Sequence, residues 1–208
     1  MDSSTRLLTG IPSPGQTAAR HNHDQPDPAG RSCCPPPGPH PLGTEDDREL
    51  LTWIDGESGS AGWAKIVPES GLRAWAAFLR RYHDAVAGYR PPVGSLWSSG
   101  HGTCAPGEIL CHGDFGPWNG VWRADRIVGL IDFDHARPAP PIFDIAYALE
   151  YAAPLRDDSE CLRWLRYPQP PDRRRRIEIF CDAYSIPVPA DITERIAWSC
   201  RPARRWPT

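Results

Sequence analysis

Proline constrains this chain most: 25 of its 208 residues are Pro, and nine of those fall within the first 44. That is about twice the usual ~5% share. Each Pro removes a backbone donor, so a multistranded sheet is excluded from that stretch. Residues 1–44 offer large apolar surface only at Leu7, Leu8, Ile11 and Leu42, too little to offset the entropy of ordering. We read them as a mostly disordered tail, with Cys33 to Pro39 locally stiff. The rest of the chain is long enough for one moderate domain.

Lys plus Arg at 23 against Asp plus Glu at 26 gives a net charge of −3, which removes any global electrostatic case for nucleic acid or anionic membrane as partner. Of the basic residues only Lys65 is a lysine, so any mechanism that needs one has a single candidate. The seven cysteines show neither a C-x-x-C pair nor a zinc-type Cys/His ladder. With no apolar stretch of signal or membrane length, a soluble, thiol-reducing, cytoplasmic setting is expected.

Order is expected to begin near Glu49, where Leu50 to Ile54 reads as a strand stopped by Asp55-Gly56. From Glu69 to Ala87, Leu72, Trp75, Ala76, Leu79, Tyr82 and Val86 recur at helical spacing, and Gly88 and Pro91 end that helix. Gly120 to Arg123 and Arg126 to Ile131 flank Ala124-Asp125 as a hairpin. Asp144 to Tyr151 and Arg174 to Ser185 read as helices, the second with Ile177, Phe180, Cys181 and Tyr184 inward. Ala197 to Thr208 has no readable period and is expected to fray.

The most informative stretch runs from His112 through Gly113 and Asp114 to Asn119, with Asp132-Phe133-Asp134 beginning thirteen residues after the Asn. The spacing fits a phosphotransfer catalytic loop, H-x-D-x-x-x-x-N, with a metal-binding Asp beyond it. Folding back of the hairpin lets Asn119 and Asp132 meet at one end of the two strands. There an amide oxygen and a carboxylate could share Mg²⁺, which takes hard oxygen ligands. Asp114 would accept the proton of an acceptor hydroxyl. Lys65 reads as a solvated cation on a loop, Gly56, Gly59 and Gly62 as a flexible loop, and Arg173 to Arg176 as a solvated helix start. Asp144 reads as a helix N-cap, and Trp118 as packing.

These residues resemble the aminoglycoside phosphotransferase and choline kinase-like family of the kinase-like fold. The resemblance covers roughly Pro41 to Ser185 and rests on His112 to Asn119, Ile131 to Asp134, and Phe143-Asp144-Ile145-Ala146. Arg80 to His83 on the long helix also looks like the family's pattern. It implies an α+β fold: a protein-kinase-like large lobe, mostly helical and carrying a catalytic β-hairpin, preceded by a remnant of the small lobe. On that basis residues 45–56 are the remnant strand and hinge, 57–190 the large lobe and 191–208 the frayed end. The resemblance further implies ATP and Mg²⁺ as cofactors and a small-molecule hydroxyl acceptor, aminoglycoside-like or an amino alcohol. Asp114 is then the catalytic base, Asn119 and Asp132 are metal ligands, and His112 and Asp144 are braces of the loop. Backbone groups at Thr52, Trp53 and Ile54 meet adenine.

In the family a small lobe supplies a phosphate-pairing lysine ahead of the hinge, and this sequence has none there. Weak nucleotide affinity, on the order of millimolar, is therefore expected. Two other readings stand beside the kinase: an inert pseudokinase-like binding module, and a metal-dependent hydrolase built on His112, Asp114, Asp132, Asp134 and His135. The hydrolase leaves Asn119 unexplained.

Overall fold

The apolar stripe that recurs along residues 69–87 becomes the longest helix in the computed structural model, which describes residues 38–46, 48–97 and 100–199. Its inward face, from Leu72 through Trp75, Phe78, Leu79 and Tyr82 to Val86, lies at the centre of the main hydrophobic core. Truncating any of these large side chains to Ala would cost about 2–5 kcal/mol, because neighbours on several elements cannot close the gap.

In chain order the elements are β1 (Pro41–Glu45), β2 (Arg48–Leu51), α1 (Ser60–Ile66), α2 (Glu69–Val86), β3 (Leu96–Trp97), β4 (Gly100–His101) and β5 (Ile109–Cys111). A 3₁₀ turn (Pro117–Asn119) leads into β6 (Gly120–Arg123) and β7 (Arg126–Leu130), then β8 (Arg137–Ala139), α3 (Ile142–Ala152), α4 (Asp158–Arg163), α5 (Arg173–Tyr184) and α6 (Ile192–Ser199). The strands form four antiparallel pairs: β1 with β2, β3 with β4, β5 with β8 and β6 with β7. Helix exceeds strand, as the α+β expectation has it. α5 packs along α2, α6 along α3, and β5 and β7 lie against α2, so the strand that leads into His112 and the hairpin strand both rest on the longest helix. No helix among the described residues is long and apolar enough to cross a membrane.

Several local expectations are corrected. The strand anticipated over Leu50 to Ile54 ends at Leu51 and pairs with an earlier strand starting at Pro41. Pro is tolerated there because the first residue of an edge strand need not donate. Asp46 takes the left-handed conformation at φ 48, which Asp accepts more readily than most residues. Ile54 leaves the ladder and packs on Gly129 of the hairpin, where a Cβ would come 2.6 Å from its Cδ1. Residues 1–37 of the expected tail, and 200–208 of the expected frayed end, lie outside the described residues. Ala197 to Ser199, also read as frayed, belong to α6, whose Ile196 is fully buried.

Lys65 sits on α1, not on a loop, and pairs with Glu57 at 3.2 Å. The glycine-containing segment before it, expected to be a free loop, is tied by backbone hydrogen bonds to the hairpin and to Trp118. Glu57 exchanges both backbone hydrogen bonds with Trp122 on β6, and a Cβ at Gly62 would lie 2.1 Å from the Pro117 carbonyl oxygen. Only a glycine lets α1 approach the catalytic loop so closely.

Within the run Arg173 to Arg176, expected to be solvated, Arg176 is buried. Its guanidinium donates to the Ala152 carbonyl at the end of α3, and to the Ile66 and Val67 carbonyls at the end of α1, at 2.6 and 2.8 Å. Free carbonyls at a helix C-terminus attract a cation, and here two helix ends share one. Arg173 likewise turns inward, donating to the Pro154 and Arg156 carbonyls at 2.7 and 2.6 Å.

Candidate active site

The start of the His112 to Asn119 loop is held by one carboxylate. Asp144, fully buried in the first turn of α3, accepts the His112 backbone N–H at Oδ2 (2.8 Å) and the Gly113 N–H at Oδ1 (2.9 Å). Its Oδ2 also meets His83 Nε2 at 3.1 Å, and His83 Nδ1 faces the Tyr184 hydroxyl at 2.6 Å. Asp144 is therefore not the N-cap of its helix; Pro141 holds that position. The pattern Arg80 to His83 gains a physical account, since His83 carries the clamp back to α5 and Tyr82 donates to the Leu110 carbonyl at 3.0 Å. Gly113 has φ +83, and a Cβ there would fall 1.9 Å from the His135 carbonyl oxygen. No side chain fits between His112 and Asp114 in this loop.

His112 is fully buried with both ring nitrogens engaged: Nε2 donates to the Ile131 carbonyl at 3.0 Å and Nδ1 accepts the Asp114 N–H at 3.3 Å. Burial pushes its pKa below the ordinary 6.5, against the opposing pull of Asp144. The ring is thus a neutral brace between loop and hairpin, with no nitrogen left for a metal. Below pH 6.5 the unfolded chain takes up a proton that the folded one refuses, so this residue's contribution is full above that pH and is lost as pH falls toward the folded value. In urea titrations between pH 7 and 5, His112→Gln should flatten the fall of stability with acidity, by up to about 1.4 kcal/mol per pH unit. Equal slopes in the two proteins would remove His112 as the cause.

Asp114 is half-buried and its carboxylate is tightly placed. Asn119 Nδ2 donates to Oδ2 at 2.9 Å and to the Asp114 carbonyl at 2.9 Å, and Trp118 Nε1 approaches Oδ2 at 3.4 Å. The Tyr147 hydroxyl donates to Oδ1. Burial, then the bond to Asp114, raises the Tyr147 pKa far above its usual value, so it remains a donor at any physiological pH. With its amide nitrogen committed, Asn119 turns Oδ1 away from Asp114, where it can serve as a hard ligand. The Ile131 N–H bonds the Asn119 carbonyl at 3.0 Å, which sets Asp132 at the strand end beside Asn119. Asp132 is exposed and adopts φ 65, a left-handed conformation that Asp, like Asp46, accepts more readily than most residues. An amide oxygen and a free carboxylate at one edge fit Mg²⁺ chemistry.

The other expected residues divide. Trp53 is half-exposed and Ile54 packs on the hairpin, while Thr52 donates its N–H to the His40 carbonyl at 2.8 Å and accepts the His40 N–H at Oγ1 (2.7 Å). The hydrolase set does not converge: Asp134 and His135 face solvent, and His112 is spent. Among the described residues, His83, Cys111 and Asp144 do bring ligand atoms within 4.8 Å of one another. They are occupied by the clamp, and burial drives the Cys111 thiol well above its usual pKa, which keeps it protonated.

Sequence reasoning missed Tyr147. A polar aromatic three residues after Asp144 shares its helix face, and that spacing was the available signal. It also missed a pocket of about 440 Å³ whose walls include Trp63, Trp118 and Tyr151. Trp118 stacks on Trp63 with centroids 5.3 Å apart and meets the edge of Tyr151 at 4.6 Å. Its packing role is thus observed, at the rim of the loop.

Residues 97–179 match the model of the phosphotransferase enzyme family. The trifolitoxin immunity protein of Rhizobium leguminosarum bv. trifolii is 38% identical over 118 residues, which is 55% of this chain and 43% of that protein, so the match spans less than half of that relative's length. An aminoglycoside phosphotransferase from Streptomyces rimosus superposes with a TM-score of 0.51 at 18% identity, covering 79% of this chain and 73% of that one. The same enzyme in complex with ADP and streptomycin gives 0.52 at 16% identity with equal coverage. At such identity the superposition speaks for the fold. The match over residues 97–179 is to part of the phosphotransferase enzyme family's model, and the chain bearing it has the kinase-like fold seen in the aminoglycoside phosphotransferases.

Proposed function

We propose that this chain transfers the γ-phosphoryl group of ATP to a hydroxyl of a small molecule. The observation that carries the proposal is the Asp114 carboxylate, pinned by Asn119 in a loop clamped by Asp144, with the exposed Asp132 following the Ile131 N–H that bonds the Asn119 carbonyl. In the proposed step the acceptor oxygen bonds to the γ-phosphorus as the bond from that phosphorus to the β-bridging oxygen breaks. ADP leaves, and the hydroxyl proton passes to Asp114. Asn119 Oδ1 and Asp132 would hold Mg²⁺, which when bound neutralises charge on the phosphates. Tyr147 and Asn119 orient Asp114 so that little reorganisation remains for the reaction itself. Adenine would meet the backbone at Trp53 and Ile54, since the Thr52 amide is already engaged. In support, the structurally similar Streptomyces enzyme has been captured with ADP and streptomycin.

Calorimetry of ATP with and without Mg²⁺ on the purified chain, together with an ADP-release assay, tests this reading. Asp132→Ala should erase the Mg²⁺-dependent part of the nucleotide affinity, a loss of about tenfold or more. An unchanged Mg²⁺ response in that variant places the metal elsewhere. Nucleotide binding without any turnover across hydroxyl acceptors favours the inert binding module.

A further inference from the structure

The pocket beside Asp114 has a lining whose chemistry is specific. It contains Trp63, Trp118, Tyr151 and Trp164, two guanidinium groups from Arg156 and Arg166, and no carboxylate. Two of its walls lead to Asp114. Trp118 reaches Asp114 Oδ2 through its indole nitrogen at 3.4 Å, and Tyr151 packs on Tyr147, which donates to Oδ1. Asp114 thus lies one side chain behind Trp118 and two behind Tyr151.

The cations in the wall are available. Arg166 makes no ion pair among the described residues and holds a left-handed backbone at φ 63. Arg156 has one loose partner, the nearly buried Glu150 at 3.8 Å, and its own side chain is 43% exposed. A third guanidinium, Arg163, lies over the Trp164 ring at 5.0 Å. Aromatic faces can attract an ammonium group, but Trp63 and Trp118 spend one face each on stacking together, Tyr151 lies in T-shaped contact with both, and Arg163 already occupies a cation's place over the otherwise exposed Trp164. The lining carries Arg156 and Arg166, with Glu150 the acidic partner of the first, so a polycation entering it meets like charge at short range.

We propose that this pocket takes the hydroxyl acceptor, and that the acceptor carries an anionic group, a carboxylate or phosphate, on a flat or apolar body. Arg156 and Arg166 grip the anion, the tryptophans cover the body, and the hydroxyl reaches Asp114. This inference rests on the phosphotransfer reading for the identity of the ligand as acceptor, but the charge preference of the pocket stands apart from turnover.

Three probes separate the cases: 4-(hydroxymethyl)benzoate, its cationic counterpart 4-(hydroxymethyl)benzylamine, and streptomycin as a polycation. Titrated into the full chain by calorimetry, the benzoate should bind at least about tenfold more tightly than the amine or streptomycin. The double variant Arg156→Gln/Arg166→Gln, changed at two exposed side chains, should lose about tenfold for the benzoate and nothing for the amine. Equal or tighter binding of either cation, no binding of the benzoate, or unchanged benzoate affinity in the double variant each overturns the proposal. Asp114→Asn distinguishes the two levels. If it keeps benzoate affinity while no acceptor is phosphorylated even by the unaltered chain, the phosphotransfer reading has failed and the anion pocket remains. Turnover of streptomycin or the benzylamine with no benzoate binding does the reverse.

Discussion

Asp114→Asn is expected to reduce phosphotransfer by more than about 10²-fold, the scale of losing a general base, with stability close to that of the unaltered protein. The substitution preserves shape but replaces an acceptor-only carboxylate with an amide whose nitrogen cannot take a proton. It also places an NH₂ or a neutral oxygen opposite donors from Asn119, Trp118 and Tyr147, so the side chain loses its fixed orientation. Those partners lie in a half-buried cleft where water can replace them, which is why the fold should persist. Steady-state turnover beside a urea titration decides the matter; near-normal kcat in a folded variant would exclude Asp114 as the base.

Asp144→Ala should have the largest effect on stability, about 3–5 kcal/mol, the range for breaking a buried charged network. Three donors lose their acceptor at once: the His112 and Gly113 amides and His83. Each abandoned buried donor costs about 1–3 kcal/mol, against a total stability of roughly 5–15 kcal/mol for a domain. Burial alone would raise the Asp144 pKa, but the hydrogen bond from His83, its neighbouring charges and the Gly113 N–H outweigh it and hold the carboxyl below its ordinary 3.8. A depressed folded value means that the stabilisation is present above the ordinary pKa and lost as pH falls through the folded value. Asp144→Ala should therefore also shed part of the acid lability that the unaltered chain shows below pH 4. A urea midpoint that barely moves would show that the loop does not depend on this clamp.

The elements legible in the sequence are those whose signal is periodic or punctuated. α2 can be read to within a residue because its apolar face repeats over five turns, and the β6–β7 hairpin because two β-prone runs bracket Ala124-Asp125. The loop from His112 to Asn119 is visible because each position demands a particular functional group. The features that stay hidden depend on contacts distant in sequence. α1 looks like loop because Gly59 and Gly62 are poor helix residues, and the reason for Gly62 is a carbonyl of the catalytic loop far along the chain. Arg176 looks solvated because a charge run usually is, whereas its acceptors are carbonyls at the ends of two other helices. The lining of the pocket combines aromatic residues from α1, the loop at Trp118 and the end of α3 with arginines from the segments flanking α4, which no local window could combine.

Arg176 also sets a tolerance. α1 carries Trp63 and α3 carries Tyr151 in the lining of the pocket, and the last carbonyls of both helices meet the same planar guanidinium. The fork has fixed donor directions, unlike the freely turning ammonium of a lysine. The spacing of Trp63 and Tyr151 is thus gauged by a rigid fork within a turn of each, and the shape of the pocket is inherited from a buried residue outside its lining.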